Sequence, residues 1–178
     1  MAPPVTLYRF QIELSDVDRG VYESLDVRAA QHPSEIPLYL LTRVLALALS
    51  WEDGLAFTPG GLSDPDEPAL KSPDEHGGIQ VWIDIGNPSA RRLHKASKAA
   101  RHVKVFTYKD PQILLAELSS EPVHRREEIE IYSLPSRFLD KLAERLDRTN
   151  SWQIIRNGES LMVTIGGETI EGEIHRHG

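Results

Sequence analysis

Residues 79–98 read IQVWIDIGNPSARRLHKASK, and the parsing of this stretch decides the fold. Residues 79–85 are mostly β-branched or aromatic, which predicts a strand with one carboxylate, Asp84, near its end. Gly86 stops the run. Asn87 is a good helix cap and Pro88 suits the first helical position, so a helix is predicted from there to about Arg101. Ala90, Leu93, Ala96 and Ala100 make its apolar face, and Arg91, Lys95, Lys98 and His102 run down a neighbouring stripe. No acid occurs between Arg91 and Lys109. A chain of net charge −7 therefore keeps an acid on a strand and a cluster of bases on the next helix.

Working outward, residues 5–14 alternate as a half-buried strand and residues 21–30 read as its hairpin partner across SDVDRG. Ile36, Leu40, Val44 and Leu47 predict a mostly buried helix over about 35–51, with Ser34 as its cap. LAFT at 55–58 is a short strand, PGGLSDPDEP a loop, and 67–72 a strand that Pro68 confines to an edge or a strand start. Further on, a strand is expected at 103–108, a helix near 111–118, a strand at 129–134 and a helix at 135–147. WQIIRNGESLMVTI reads as a hairpin with Asn157-Gly158 as a type I′ turn, followed by a strand near 168–174 and a frayed tail.

The 178 residues suit a single domain, 1–178, with 40% apolar and 26% charged residues. Without cysteine there are no disulfides, thiolate metal sites or cysteine nucleophiles. The N-terminal stretch lacks the basic start and apolar core of a signal peptide, and Arg43 breaks the longest apolar run. A cytoplasmic protein with no membrane partner is the expectation. There is no phosphate-binding Gly-rich loop, no dinucleotide glycine pattern, no Gly-x-Ser-x-Gly and no His-Glu-x-x-His. His175 and His177, on a terminus expected to be loose, are given no metal role, and His32 is expected to make a structural hydrogen bond.

If 67–72 pairs with 79–86 across DEHGG, Glu67 lies opposite Asp84, about 5 Å away. Like charges so placed repel, and a divalent cation turns the repulsion into a binding site. Oxygen ligands alone suit Mg²⁺ or Mn²⁺, with Asp66 as an equal candidate beside Glu67 and Asp84. The basic helix begins where the Asp84 strand ends, so a phosphate would meet Lys, Arg and the helix N-terminus. The plainer alternative is a salt bridge from Asp84 to Arg91 or Lys95 on a solvated basic face.

From residue 35 the predicted order is helix, strand, strand, strand, helix, strand, with an acid opening the second strand and another near the end of the third. This order resembles the core of the PD-(D/E)xK nuclease superfamily. The resemblance implies a restriction-endonuclease-like α+β fold with a mixed sheet, its core over about 33–110, plus an N-terminal hairpin and a strand-rich C-terminal extension. Asp66 or Glu67 matches the first acid, Asp84 the second, and Glu35 the accessory Glu of the first helix. Gly86 stands where the pattern has its Lys, which makes Lys95, on the following helix, the replacement.

A wider resemblance rests on DVDR (16–19), HPSE (32–35), LAFT (55–58), DEP (66–68), VWIDIG-P (81–88), RRLHKA (91–96) and VFTY (105–108). In this order these blocks resemble the bacterial YaeQ family, which is similar to a variant of that nuclease fold. The acid pair opposite a basic helix, in the element order of the nuclease superfamily, points to a metal-dependent nuclease or phosphodiesterase; the YaeQ resemblance bears on the fold. Glu35, Glu67, Asp84 and Lys95 would carry the chemistry, Asp66, Glu67 and Asp84 would hold Mg²⁺ or Mn²⁺, and Arg91, Arg92 and Lys98 would contact phosphates. Glu35, Lys95, Asp84 and one of Asp66 or Glu67 are expected to converge, and removing the Asp84 charge to relieve repulsion. The alternative is a non-catalytic module that binds nucleic acid or a protein, with the acids and Lys95 in an internal ion-pair network.

Overall fold

A computed structural model describes residues 5–59 and 66–177. Most of the expected loop at 59–68 lies outside the described residues. The fold is α+β, with two mixed sheets and four helices among the described residues, and the chain forms two compact units.

The first unit comprises Met1–Trp51 and Leu134–Ile174. Its strands are β1 (Thr6–Asp16), β2 (Val21–Gln31), β8 (Thr149–Asn157), β9 (Ser160–Ile165) and β10 (Glu168–Glu173), in the order β10-β9-β8-β1-β2. The alternation in β1 buries Phe10, Ile12 and Leu14, and Phe10 meets Trp152 of β8 edge to face at 5.0 Å. Helices α1 (Pro37–Leu49) and α4 (Ser136–Glu144) belong to this unit and pack on each other. Every residue from Leu40 to Leu49 in α1 is buried, Arg43 included. Pro37 opens α1, but Ser34 does not cap it; its Oγ lies 2.8 Å from His32 Nδ1, the structural bond expected of His32.

The DVDR block is a clamp in this unit. Asp16 is fully buried and accepts from Arg19 Nε at 2.8 Å, while Arg19 Nη1 reaches the carbonyl of Trp51 at 2.9 Å. Asp18 accepts from Gly158 N at 3.0 Å, which ties the β1–β2 turn to the β8–β9 turn. That second turn differs from expectation by one residue. Asn157 pairs with Ser160, so Gly158-Glu159 forms the loop, and of these only Gly158 has a positive φ, +62°. A leading glycine with one positive φ fits type II′ rather than type I′.

The second unit comprises Glu52–Ser133 and His175–Gly178. Its sheet runs β11-β7-β6-β5-β4-β3, from β3 (Ala56–Phe57), β4 (Leu70–Pro73), β5 (Ile79–Ile85), β6 (Ala100–Thr107), β7 (Glu130–Ser133) and β11 (His175–His177). β5, β6 and β7 are parallel, and the outer pairs are antiparallel. Helices α2 (Ala90–Ala99) and α3 (Pro111–Ser120) make the crossovers. Trp82, Leu93, Ala96, Val105, Leu114 and Ile131 are central to the core between helices and sheet. The tail expected to fray is instead β11, paired to β7, with His177 Nε2 2.7 Å from Ser133 Oγ. Among the described residues no helix is long and apolar enough to cross a membrane.

Candidate functional site: the end of β5 and the face of α2

Asp84 is the penultimate residue of β5, and its side chain is 4% exposed. Such a carboxylate must have hydrogen-bond partners. Arg92 supplies them as a fork, Nε to Oδ2 at 2.8 Å and Nη2 to Oδ1 at 3.0 Å. Nη2 also donates to the carbonyl of Glu67 at 2.6 Å, and the guanidinium carbon lies 5.7 Å from the Trp82 ring centroid. One cation thus gathers an acid, a main-chain carbonyl and an aromatic face.

The expected cross-strand acid pair does not form. Leu70 faces Ile83 in β4–β5, which brings Ala69, not Glu67, alongside Asp84; the register shifts again at Ser72/Pro73. The Glu67 carboxylate turns to Lys71 at 2.8 Å. The charge that faces Asp84 is the Arg92 guanidinium and not a second carboxylate.

The plainer expectation named the wrong base too. The partner of Asp84 is neither Arg91 nor Lys95. Helical phase explains this: Arg92 precedes buried Leu93 and lies one turn before buried Ala96, so it flanks the inward stripe. Arg91, Lys95, Lys98 and Ala99 are exposed. Sequence reading missed Arg92 as the partner, although this phase was the available signal. Lys95 Nζ pairs with Asp66 at 2.9 Å across an exposed bridge. That ammonium holds the Asp66 carboxyl below its ordinary value, chiefly through the hydrogen bond.

The N-terminus of α2 already has acceptors. Ser89, not Asn87, is its cap, accepting from Arg92 N at 3.1 Å, and Glu117 Oε1 of α3 accepts from Ala90 N at 3.2 Å. Asn87 instead bonds the carbonyl of Asp110 and accepts from Thr107 Oγ1, tying the β5–α2 turn to the β6–α3 turn. The helix is also shorter than expected: Ala100 and Arg101 already belong to β6.

Glu35 precedes α1 rather than lying on it. In the first unit its carboxylate meets Arg43 Nη2 at 3.0 Å, with 1% and 4% side-chain exposure. Burial pushes the Glu35 carboxyl up, and Arg43 opposes that rise.

The second unit therefore assembles Asp66, Glu67, Asp84, Lys71, Arg92 and Lys95 at one sheet end as three acid–base pairs. Among the described residues no three acidic or histidine side chains gather as a metal cage. The oxygens around Arg92 Nη2 are nonetheless the hard donors that Mg²⁺ or Mn²⁺ takes with water, one carboxylate and one carbonyl already aimed at a cation.

An α+β fold with a parallel β5-β6-β7 core and an acid–base cluster at the end of β5 defines the class. The YaeQ protein family model matches residues 1–174, and the chain belongs to the YaeQ family. It is 32% identical over 155 residues to the uncharacterized protein YaeQ of Escherichia coli (strain K12), covering 86% of this chain and 84% of that one. The uncharacterized protein YaeQ of Salmonella typhi matches at the same identity and coverage. The crystal structure of YaeQ protein from Pseudomonas syringae superposes with a TM-score of 0.89 at 30% identity, covering 99% of this chain and 98% of that one. The YaeQ protein from Xanthomonas axonopodis pv. citri gives 0.90 at 28% identity, covering 98% of each.

Proposed function

We propose that the chain is a Mg²⁺- or Mn²⁺-dependent phosphodiesterase of the PD-(D/E)xK nuclease kind, acting on nucleic acid at the end of β5. The observation that carries this is the convergence of Asp84 Oδ1 and the Glu67 carbonyl on one cationic atom, beside a helix with exposed Arg91, Lys95 and Lys98. Asp84 and Glu67, with Asp66 nearby in the chain, would hold the metal. When bound, the metal supplies Lewis-acid polarisation of a phosphoryl oxygen and an acidified water. Lys95, released from Asp66, places a compact positive charge where negative charge develops, and Arg91, Arg92 and Lys98 position the phosphate backbone. Glu35, engaged with Arg43, is given no step.

A second reading has its own observation. Each of the three acids is already compensated by a base, so the cluster is neutral without any metal, as suits a non-catalytic module that binds nucleic acid or a protein. Calorimetric titration with Mn²⁺ and cleavage assays on DNA and RNA separate the two. Mn²⁺ uptake and cleavage, both lost in Asp84→Ala, support the enzyme. Flat heats and intact substrates with a folded protein leave the binding module.

A further inference from the structure

We infer that Arg92 is a gate: its guanidinium is the resident counter-ion of the metal position and must leave Asp84 before a divalent cation binds. The inference rests on the metal-dependent reading and assigns that site its regulation. Arg92 Nη2 bonds two of the oxygens a metal would use, Asp84 Oδ1 and the Glu67 carbonyl, and Nε takes the remaining Asp84 oxygen. Nη2 sits between Asp84 Oδ1 and the Glu67 carbonyl, where a metal bound to both oxygens would sit, and two cations cannot occupy one position. Competition is therefore built into the site.

α2 fixes the Arg92 main chain through Ser89, and in the fork with Asp84 the guanidinium carbon lies 5.7 Å from the Trp82 ring centroid, so its departure would change the surroundings of Trp82. The guanidinium would leave the carboxylate while its main chain stays on the helix that also carries Arg91 and Lys95. Exclusion of the metal by Arg92, then recruitment of Arg92 to the phosphate, would make metal and substrate bind cooperatively. Arg92 is thus a positioning residue whose place depends on the metal.

The test is Mn²⁺ titration calorimetry on the wild type, Arg92→Gln and Arg92→Lys, after circular dichroism has shown each to be folded. Losing a charge-assisted fork should tighten Mn²⁺ binding about ten-fold or more in Arg92→Gln. Arg92→Lys keeps a charge without the fork and should fall between, which retains a usable variant if Arg92→Gln does not fold. A second readout is Trp82 fluorescence: Mg²⁺ should shift it in the wild type as the guanidinium moves, and the shift should vanish in Arg92→Gln and Trp82→Phe. Equal Mn²⁺ affinities in all three proteins overturn the gate and leave the metal reading standing. No Mn²⁺ uptake by any of them overturns both. Tighter binding in Arg92→Gln, with no cleavage of DNA or RNA by the wild type, upholds the gate and overturns the nuclease.

Discussion

Arg92 closes both carboxylate oxygens of Asp84 in one fork, at 2.8 and 3.0 Å, across the turn that joins β5 to α2. The strand acid and the helix base are neighbours because the turn is short and Arg92 flanks the buried stripe of the helix. The pair reverses the expected effect of neutralising Asp84. Asp84→Asn leaves the guanidinium facing an amide that offers one acceptor and two donors. It should destabilise the metal-free protein by about 1–3 kcal/mol, measured by urea unfolding in the presence of a chelator. An unchanged or raised midpoint would mean that repulsion among the acids outweighs the fork.

Gly86 occupies the position where the nuclease pattern has its lysine, and its φ is +89°. A side chain there is strained whatever its charge. A Cβ at Gly86 would meet only Tyr108 Cε1, at 3.9 Å, so the penalty is conformational rather than steric. Gly86→Lys and Gly86→Ala should therefore lose the same stability, about 1–3 kcal/mol, and the new lysine should create no activity. Thermal melts of the two variants decide this. A clear advantage of Lys over Ala would show that an ammonium at this position finds the site acids.

Glu35 gives a pH prediction. Burial raises its carboxyl above the ordinary 4.5 despite the partly opposing Arg43. A carboxyl raised on folding contributes stability that is fully present below its unfolded value and is lost as pH rises through its folded value. Gln imitates the protonated acid and lacks that loss. Glu35→Gln should match the wild type below pH 4.5 and become the more stable protein toward neutrality. Urea unfolding across this range checks the sign. A variant weaker at neutral pH would mean that the attraction of Arg43 exceeds the cost of burying the charge.

How much of this was legible in the sequence differs by element. β5 was readable because seven mostly apolar residues run between turn signals, and α2 because Leu93 and Ala96 repeat with helical period. The β4–β5 register was not, because the shift at Ser72/Pro73 leaves no residue-type signature. The parallel pairing of Arg9–Asp16 with Thr149–Arg156 joins segments far apart in the chain, and no local pattern announces it. β11 is only three residues long, too short for any periodicity. At the site, the residue types were visible and the pairing was not: charge alone ranks Arg91, Arg92 and Lys95 equally against Asp84, and only helical phase separates them.

Lys95 and Lys98 test the proposed chemistry by comparison. Both are exposed cations on α2, but Lys95 bridges to Asp66 while Lys98 lies in its last turn. Neither side chain contributes to the buried core, so Lys95→Ala and Lys98→Ala should both keep the wild-type melting temperature. If Lys95 meets the reacting phosphate, Lys95→Ala should abolish Mn²⁺-dependent cleavage while Mn²⁺ affinity stays within about two-fold, because an ammonium is not a metal ligand. Lys95→Arg should not restore cleavage, since a planar fork cannot replace a compact point charge. Lys98→Ala should weaken nucleic-acid binding across all sequences and lower the slope of log affinity against log salt by about one. Equal, mild losses for both lysines would reduce α2 to a basic surface and leave the ion pairs at the end of β5 as a structural lock.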